Sequence, residues 1–127
     1  MNNEEQGKEG EKKAYHLLKS MGYYNIQSPD WLAGKNGEWI IFEVKNKNRY
    51  TNPDAQGLNK RQFYLRQQLF NKTGLRTYLL IFEPDTTEIY GQYLDVLEKC
   101  ESFETKKGEI KMWELKHYNR LDKVGLL

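Results

Sequence analysis

Asp30-Trp31-Leu32-Ala33-Gly34-Lys35-Asn36-Gly37-Glu38-Trp39-Ile40-Ile41-Phe42-Glu43-Val44-Lys45 is the stretch on which the fold turns. Two strand-like runs, Asp30 to Ala33 and Trp39 to Val44, flank an Asn-Gly pair. Asn-Gly is the strongest short hairpin signal, because a type I′ turn needs positive φ at both central positions. With Asn36 and Gly37 in those positions, Lys35 faces Glu38, Ala33 faces Ile40 and Asp30 faces Glu43. Directly opposed residues share a face of the sheet, with Cβ atoms roughly 4.5–5.5 Å apart. Lys45, two residues beyond Glu43, points to that face as well. Turn chemistry alone therefore gathers two carboxylates and a lysine.

Two readings of that trio stand side by side. Opposed carboxylates need compensation to stay ionised. A divalent cation supplies it, and hard oxygen ligands suit Mg²⁺ or Mn²⁺. Alternatively, Glu43 pairs with Lys45 or Lys47 as a surface salt bridge and Asp30 merely starts a strand. The apolar run Trp39-Ile40-Ile41-Phe42 should be buried, and charges at the end of a buried strand need a reason.

Outward from the hairpin, Ala14, Tyr15, Leu17, Leu18 and Met21 give helical spacing to a first helix with its body over Glu11 to Met21. Gly22 stops it. Tyr23 to Gln27 reads as a strand, with Pro29 as punctuation. Asn46 to Gly57 reads as a polar connection. Asn59 caps a second helix that runs to about Thr73, where Gly74 ends it. Arg76 to Glu83 is a short apolar run expected as a buried central strand. Ile89 to Leu94 reads as a strand and Asp95 to Cys100 as a short helix. Lys106-Lys107-Gly108 sits between strand-like Ser102–Thr105 and Glu109–Leu115, a late hairpin. Helix, three strands, helix, strand implies an α/β protein with a mixed sheet flanked by helices.

The chain has 127 residues, a length that fits one domain. Its net charge of +2 is unevenly spread. Residues 43–76 hold eight Lys or Arg against Glu43 and Asp54, for +6, while 1–42 carry −1 and 77–127 carry −3. A local basic block marks either a polyanion site or a solvated helix face. Cys100 stands alone, which excludes an internal disulfide framework and a multi-cysteine zinc site. A reducing, cytoplasmic location is the expectation. No apolar run approaches the roughly 20 residues of a membrane span, and Met1 to Glu5 lacks the pattern of a signal peptide.

Pro29-Asp30 followed by Glu43-Val44-Lys45 at the end of an apolar strand resembles the signature of the PD-(D/E)XK nuclease superfamily. Upstream, Gly7-Lys8-Glu9-Gly10-Glu11, Ala14, Leu18 and Gly22-Tyr23 resemble the first helix of the small Holliday-junction-resolvase-like members. Downstream, Asn59-Lys60-Arg61-Gln62 and Tyr78-Leu79-Leu80-Ile81-Phe82 look like that family's glutamine-bearing helix and core strand. The likeness is carried by residues 7–83, and residues 84–127 show no motif that places them in it.

The resemblance implies a restriction-endonuclease-like αβββαβ core in a single nuclease domain over 1–127, with a β-rich extension over 84–127. It implies hydrolysis of DNA phosphodiester bonds with Mg²⁺ or Mn²⁺. Asp30, Glu43 and the Val44 carbonyl would hold the metal, with Glu11 approaching it through water or binding a second ion. Lys45 would orient the attacking water, and Gln62, chosen by position over Gln67 and Gln68, would support the site. Lys47, Arg49, Lys60, Arg61 and Arg66 would contact flanking phosphates. With no room for a separate recognition domain, structure-specific or weakly sequence-specific cleavage is expected. Cutting both strands with one site per chain calls for a homodimer. The rival is a non-catalytic nucleic-acid-binding or assembly module that retains the fold.

Other residues attract plainer readings. His16 and His117 have no companions at ligand spacing. Cys100 is a small hydrophobe. Trp31 and Trp39 are expected in the core, and Arg49-Tyr50 is the better candidate for base stacking.

Overall fold

A computed structural model describes residues 3–20, 24–27, 32–35 and 37–122. Helix α1 (Asn3–Ser20) is followed by strands β1 (Tyr24–Gln27), β2 (Leu32–Lys35) and β3 (Glu38–Asn46). Then come β4 (Ala55–Asn59), α2 (Lys60–Thr73), β5 (Arg76–Phe82), β6 (Ile89–Tyr93) and the short α3 (Leu94–Leu97). Strands β7 (Phe103–Glu104) and β8 (Ile110–Glu114), a single turn at Leu115–His117 and β9 (Asn119–Arg120) complete the described chain.

The six-stranded main sheet has the order β1-β2-β3-β5-β6-β9. Among the described residues only β3 and β5 pair in parallel, in register from Ile40↔Arg76 to Asn46↔Phe82. The mixed sheet expected from the sequence is therefore present. A second sheet, β4-β8-β7, is antiparallel throughout.

The β2–β3 hairpin has the register that Asn-Gly dictates: Lys35↔Glu38, Gly34↔Trp39, Ala33↔Ile40 and Leu32↔Ile41. Gly37 has a φ of 80°, a conformation open to glycine at no steric cost. Pro29, Asp30, Trp31 and Asn36 lie outside the described residues, as does Gly22, the residue expected to stop the first helix.

Alternation along β3 and β5 divides the core in two. Ile40, Phe42, Tyr78, Leu80 and Phe82 pack with Ala14 of α1, while Val44 and Leu17 border them. On the other face Leu79 and Ile81 pack with Leu58, Phe63, Leu94, Leu97 and Trp113. Glu43 and Lys45, out of phase with Phe42 and Val44, thus face α2.

The ends of α2 follow the sequence signals. Asn59 Oδ1 accepts from the amides of Arg61 (2.9 Å) and Gln62 (3.4 Å), and Gly74 turns at φ 75° with its amide on Phe70 O. The late hairpin is also present, as β7 paired with β8.

Four readings need correction. Helix α1 begins at Asn3, two turns before Glu11, because its polar opening is rich in helix formers and carries a Glu9–Lys13 pair one turn apart (3.7 Å). The connection from Asn46 to Gly57 contains a strand, β4, in which Ala55 to Leu58 are buried. An ideal Cβ on Gly57 would stand 2.0 Å from Lys111 O, so only glycine lets β4 lie this close to β8. The short helix is Leu94–Leu97, one residue earlier than expected, since buried Leu94 and Leu97 anchor it. Trp39 is 41% exposed on the outer part of β3 rather than in the core. Cys100 packs against the second core, as a small hydrophobe does.

Candidate active site

The C-terminal half of β3 projects Glu43 and Lys45 toward α2, where Gln62 and Arg66 stand one helical turn apart on a single face. Lys45 Nζ donates to Gln62 Oε1 at 3.2 Å. Arg66 donates to Glu43 through Nε (2.8 Å), and its Nη2 lies 2.7 Å from the same oxygen, Oε1. The Glu43 side chain is 14% exposed, so this pair is screened far less than a surface salt bridge. Of the three glutamines on α2, the structure brings Gln62 to the lysine. Gln67 lines a small cleft toward α3 instead.

Helix α1 crosses the end of β3. Gly10 is buried where an added Cβ would come within 2.7 Å of Asn46 Cβ. Gln6 and Asn46 exchange side-chain to main-chain hydrogen bonds, with Asn46 Nδ2 donating to Gln6 O at 2.9 Å and Gln6 Nε2 to Asn46 O. Glu11 follows directly in α1, but its side chain lies outside the described residues. Asp30 lies outside them altogether. Val44 turns its side chain into the α1-side core, which leaves its peptide between the two polar side chains.

The remaining basic residues are distributed as follows. The Lys47 amide continues the strand by donating to Phe82 O (2.9 Å), and its Nζ donates to Gly57 O of β4 at 2.8 Å. Burial, then the charge of Lys45, pulls the Lys47 pKa down to about 8. Arg49 belongs to an acidic cluster. Its Nη2 is 2.7 Å from Glu83 Oε1 and also reaches Glu88, and its Nη1 lies 3.5 Å from Asp54. The Glu83 hydrogen bond is the main reason that its pKa is raised. Lys60 pairs with Glu104 at 2.9 Å, and Arg61 is exposed.

Sequence reasoning missed two partners. Arg66 was expected on phosphate and sits on Glu43, although its spacing of four from Gln62 already places both on one face. Glu83 ends the apolar run of β5 with its side chain wholly buried, a signal as strong as the one that singled out Glu43. It accepts from Arg49, Gln56 Nε2 (2.9 Å) and Thr86 Oγ1 (2.7 Å).

Among the described residues no group of three or more His, Cys, Asp or Glu side chains is close enough to hold a metal. They contribute one suitable ligand, Glu43. What fits a hard divalent cation is Oε2, a carboxylate oxygen with no donor from the described residues, while Arg66 occupies Oε1 and opposes a second cation there.

No protein-family model and no curated protein matches the sequence. Among solved structures, the chain is similar to Hjc, a Holliday junction resolvase from the archaeal hyperthermophile Archaeoglobus fulgidus. The TM-score is 0.64 with 13% identity, over 94% of this chain and 94% of that one. The fold is thus the restriction-endonuclease-like fold of the PD-(D/E)XK nucleases, and the likeness is one of fold.

Proposed function

We propose that the chain is a metal-dependent endodeoxyribonuclease, structure-specific or weakly sequence-specific in the manner of a resolvase. The observation that carries the reading is the placement of Glu43 and Lys45 side by side on β3, against Gln62 of α2, within this fold. Among the described residues no helix is long and apolar enough to cross a membrane, and an intracellular site of action belongs to the same reading.

Glu43, with Asp30, the Val44 carbonyl and Glu11, would hold Mg²⁺ or Mn²⁺, which when bound polarises the scissile phosphate and acidifies a coordinated water. Lys45 orients that water and offers its positive charge to the phosphate as negative charge develops there. Water oxygen bonds to phosphorus, the bond to the departing sugar oxygen breaks, and that oxygen takes up a proton. Gln62 fixes the Lys45 ammonium from α2. Arg61, exposed on the first turn of α2, is the phosphate contact that this geometry favours, while Lys60 is held by Glu104. Lys47, Arg49 and Arg66 have partners within the protein and contribute field rather than direct contact. A two-fold homodimer would bring two such sites to the two strands.

One observation favours a second reading, a nucleic-acid-binding module that does not cut. Arg66 supplies Glu43 with a built-in counter-cation. The test is to incubate the protein and a Glu43→Ala, Lys45→Ala double variant with labelled four-way junction, linear duplex and single-stranded DNA, each with Mg²⁺, Mn²⁺ or EDTA. Metal-dependent cutting by the native chain alone supports the nuclease. Binding without cutting under every metal supports the module.

A further inference from the structure

The outer face of α2 and the β7–β8 hairpin enclose an open groove of about 480 Å³. That is within the ~300–1,000 Å³ of ordinary ligand clefts. We propose that it is a subsite for an unpaired DNA strand that leaves the duplex next to the cleavage site. The proposal rests on the nuclease reading and extends it to the form of the substrate.

The groove exposes two large apolar side chains, Tyr64 at 48% and Leu65 at 56%. Both sit on the helix that carries Gln62 and Arg66, but on the side away from the core. An exposed aromatic ring is a stacking platform for a base that has lost its pairing partner. A base inside a duplex has both faces covered by stacking on its neighbours and offers none to the ring.

Charge identifies the occupant as a polyanion. Arg61 lines the groove, and the exposed Lys106 and Lys107 adjoin it in the hairpin turn, next in sequence to the lining residue Gly108. Among the described residues none of these three cations has an ion-pair partner, in contrast to Arg49, Lys60 and Arg66. The exposed acid Glu109 is the single opposing charge among the lining residues. A two-fold interface between copies would set this cationic patch against itself.

The groove is also preformed. The hairpin is fastened to the start of α2 by the Lys60 amide on Glu109 O (2.9 Å) and by Lys60 Nζ on Glu104 Oε1 (2.9 Å). The turn closes through the Gly108 amide on Thr105 O (2.7 Å), with Gly108 at φ 67°. Arg61 adjoins Gln62 and Leu65 adjoins Arg66, so a strand leaving Glu43 and Lys45 reaches the groove by crossing one helix.

The test is fluorescence anisotropy in EDTA, with the full chain, on a blunt duplex and on the same duplex with a single-stranded tail. The native chain should bind the tailed DNA more tightly. Tyr64→Ala, and separately Lys106→Ala with Lys107→Ala, should each weaken tailed binding by about tenfold and change blunt binding less than twofold. Equal affinity of the native chain for both DNAs, or variants that weaken both alike, would overturn the groove while leaving the nuclease reading standing. Loss of a dimer on Tyr64→Ala, read by sedimentation, would reassign the groove to a second copy. Absence of binding to either DNA would overturn the groove, and the nuclease reading falls with it only if Mg²⁺-dependent cutting is also absent in a parallel reaction, which tells the two failures apart.

Discussion

Arg66 and Glu43 meet through a single carboxylate oxygen, with Nε 2.8 Å and Nη2 2.7 Å from Oε1. A guanidinium at that distance repels any divalent ion that approaches the same carboxylate. Arg66→Met is therefore expected to tighten Mn²⁺ binding by about tenfold, or ~1.4 kcal/mol. Without metal it should lower stability by about 1–2 kcal/mol, since Glu43 is left poorly solvated and unpaired. Titration calorimetry with Mn²⁺ and melting with and without the ion check both. A variant that binds Mn²⁺ no better than the native chain, with the same melting response to metal, would mean that Glu43 is a structural ion-pair partner only.

Gln62 is the neighbour that holds Lys45, accepting from its Nζ at 3.2 Å, and under the proposed mechanism it acts through that lysine. Gln62→Leu should lower the single-turnover cleavage rate by about tenfold with little change in KM, as for residues that orient catalytic groups. Lys45→Ala should lose far more. Gln62→Glu, which keeps an acceptor for the ammonium, should recover part of the rate. Equal losses for Leu and Glu would remove the positioning role.

Lys47 gives the protein a specific alkaline response. Its folded pKa, about 8, lies below the usual 10.5 because burial and Lys45 disfavour the charged form. Between those values the unfolded chain binds more protons than the folded one, so this group makes stability rise with pH. Below the window the charged ammonium costs up to about 3 kcal/mol. Lys47→Met should melt at a higher temperature than the native chain at pH 7, and the difference should shrink as pH climbs toward 10.5. A difference that stays constant across this range would show that Lys47 is not held in this way.

The legible parts of the fold and site are those governed by neighbours in sequence. Asn36-Gly37 sets the hairpin register, and through it the facing of Glu43, because a turn type fixes its own partners. Asn59 and Gly74 bound α2 because caps act within one turn. Strand β4 was not legible. Gln56 and Gly57 are poor strand formers, and they extend only because β8, more than 50 residues later, needs the space that Gly57 leaves. The same holds for side-chain partners. Glu43 and Lys45 follow from alternation, whereas Arg66 on Glu43 and Glu83 on Arg49 form across 23 and 34 residues of intervening chain.

Arg49 and Glu83 supply the sharpest separation between a basic residue that binds a partner and one that holds the fold. Glu83 is wholly buried and accepts from Arg49, Gln56 and Thr86, and Arg49 reaches on to Glu88 and the Tyr90 hydroxyl (3.3 Å). The cluster ties the segment after β3 to the end of β5. Arg49→Met leaves a buried carboxylate without its counter-charge and should cost about 3 kcal/mol. Adding Glu83→Gln removes that charge and should restore part of the loss, because a buried amide costs less than a buried anion. Arg61→Met, on exposed α2, should leave stability within about 0.5 kcal/mol and weaken DNA binding in low salt. Urea melts and anisotropy on the same four proteins make the comparison. If Arg49→Met keeps native stability and loses DNA affinity as Arg61→Met does, Arg49 is a phosphate contact after all and the cluster is incidental to the fold.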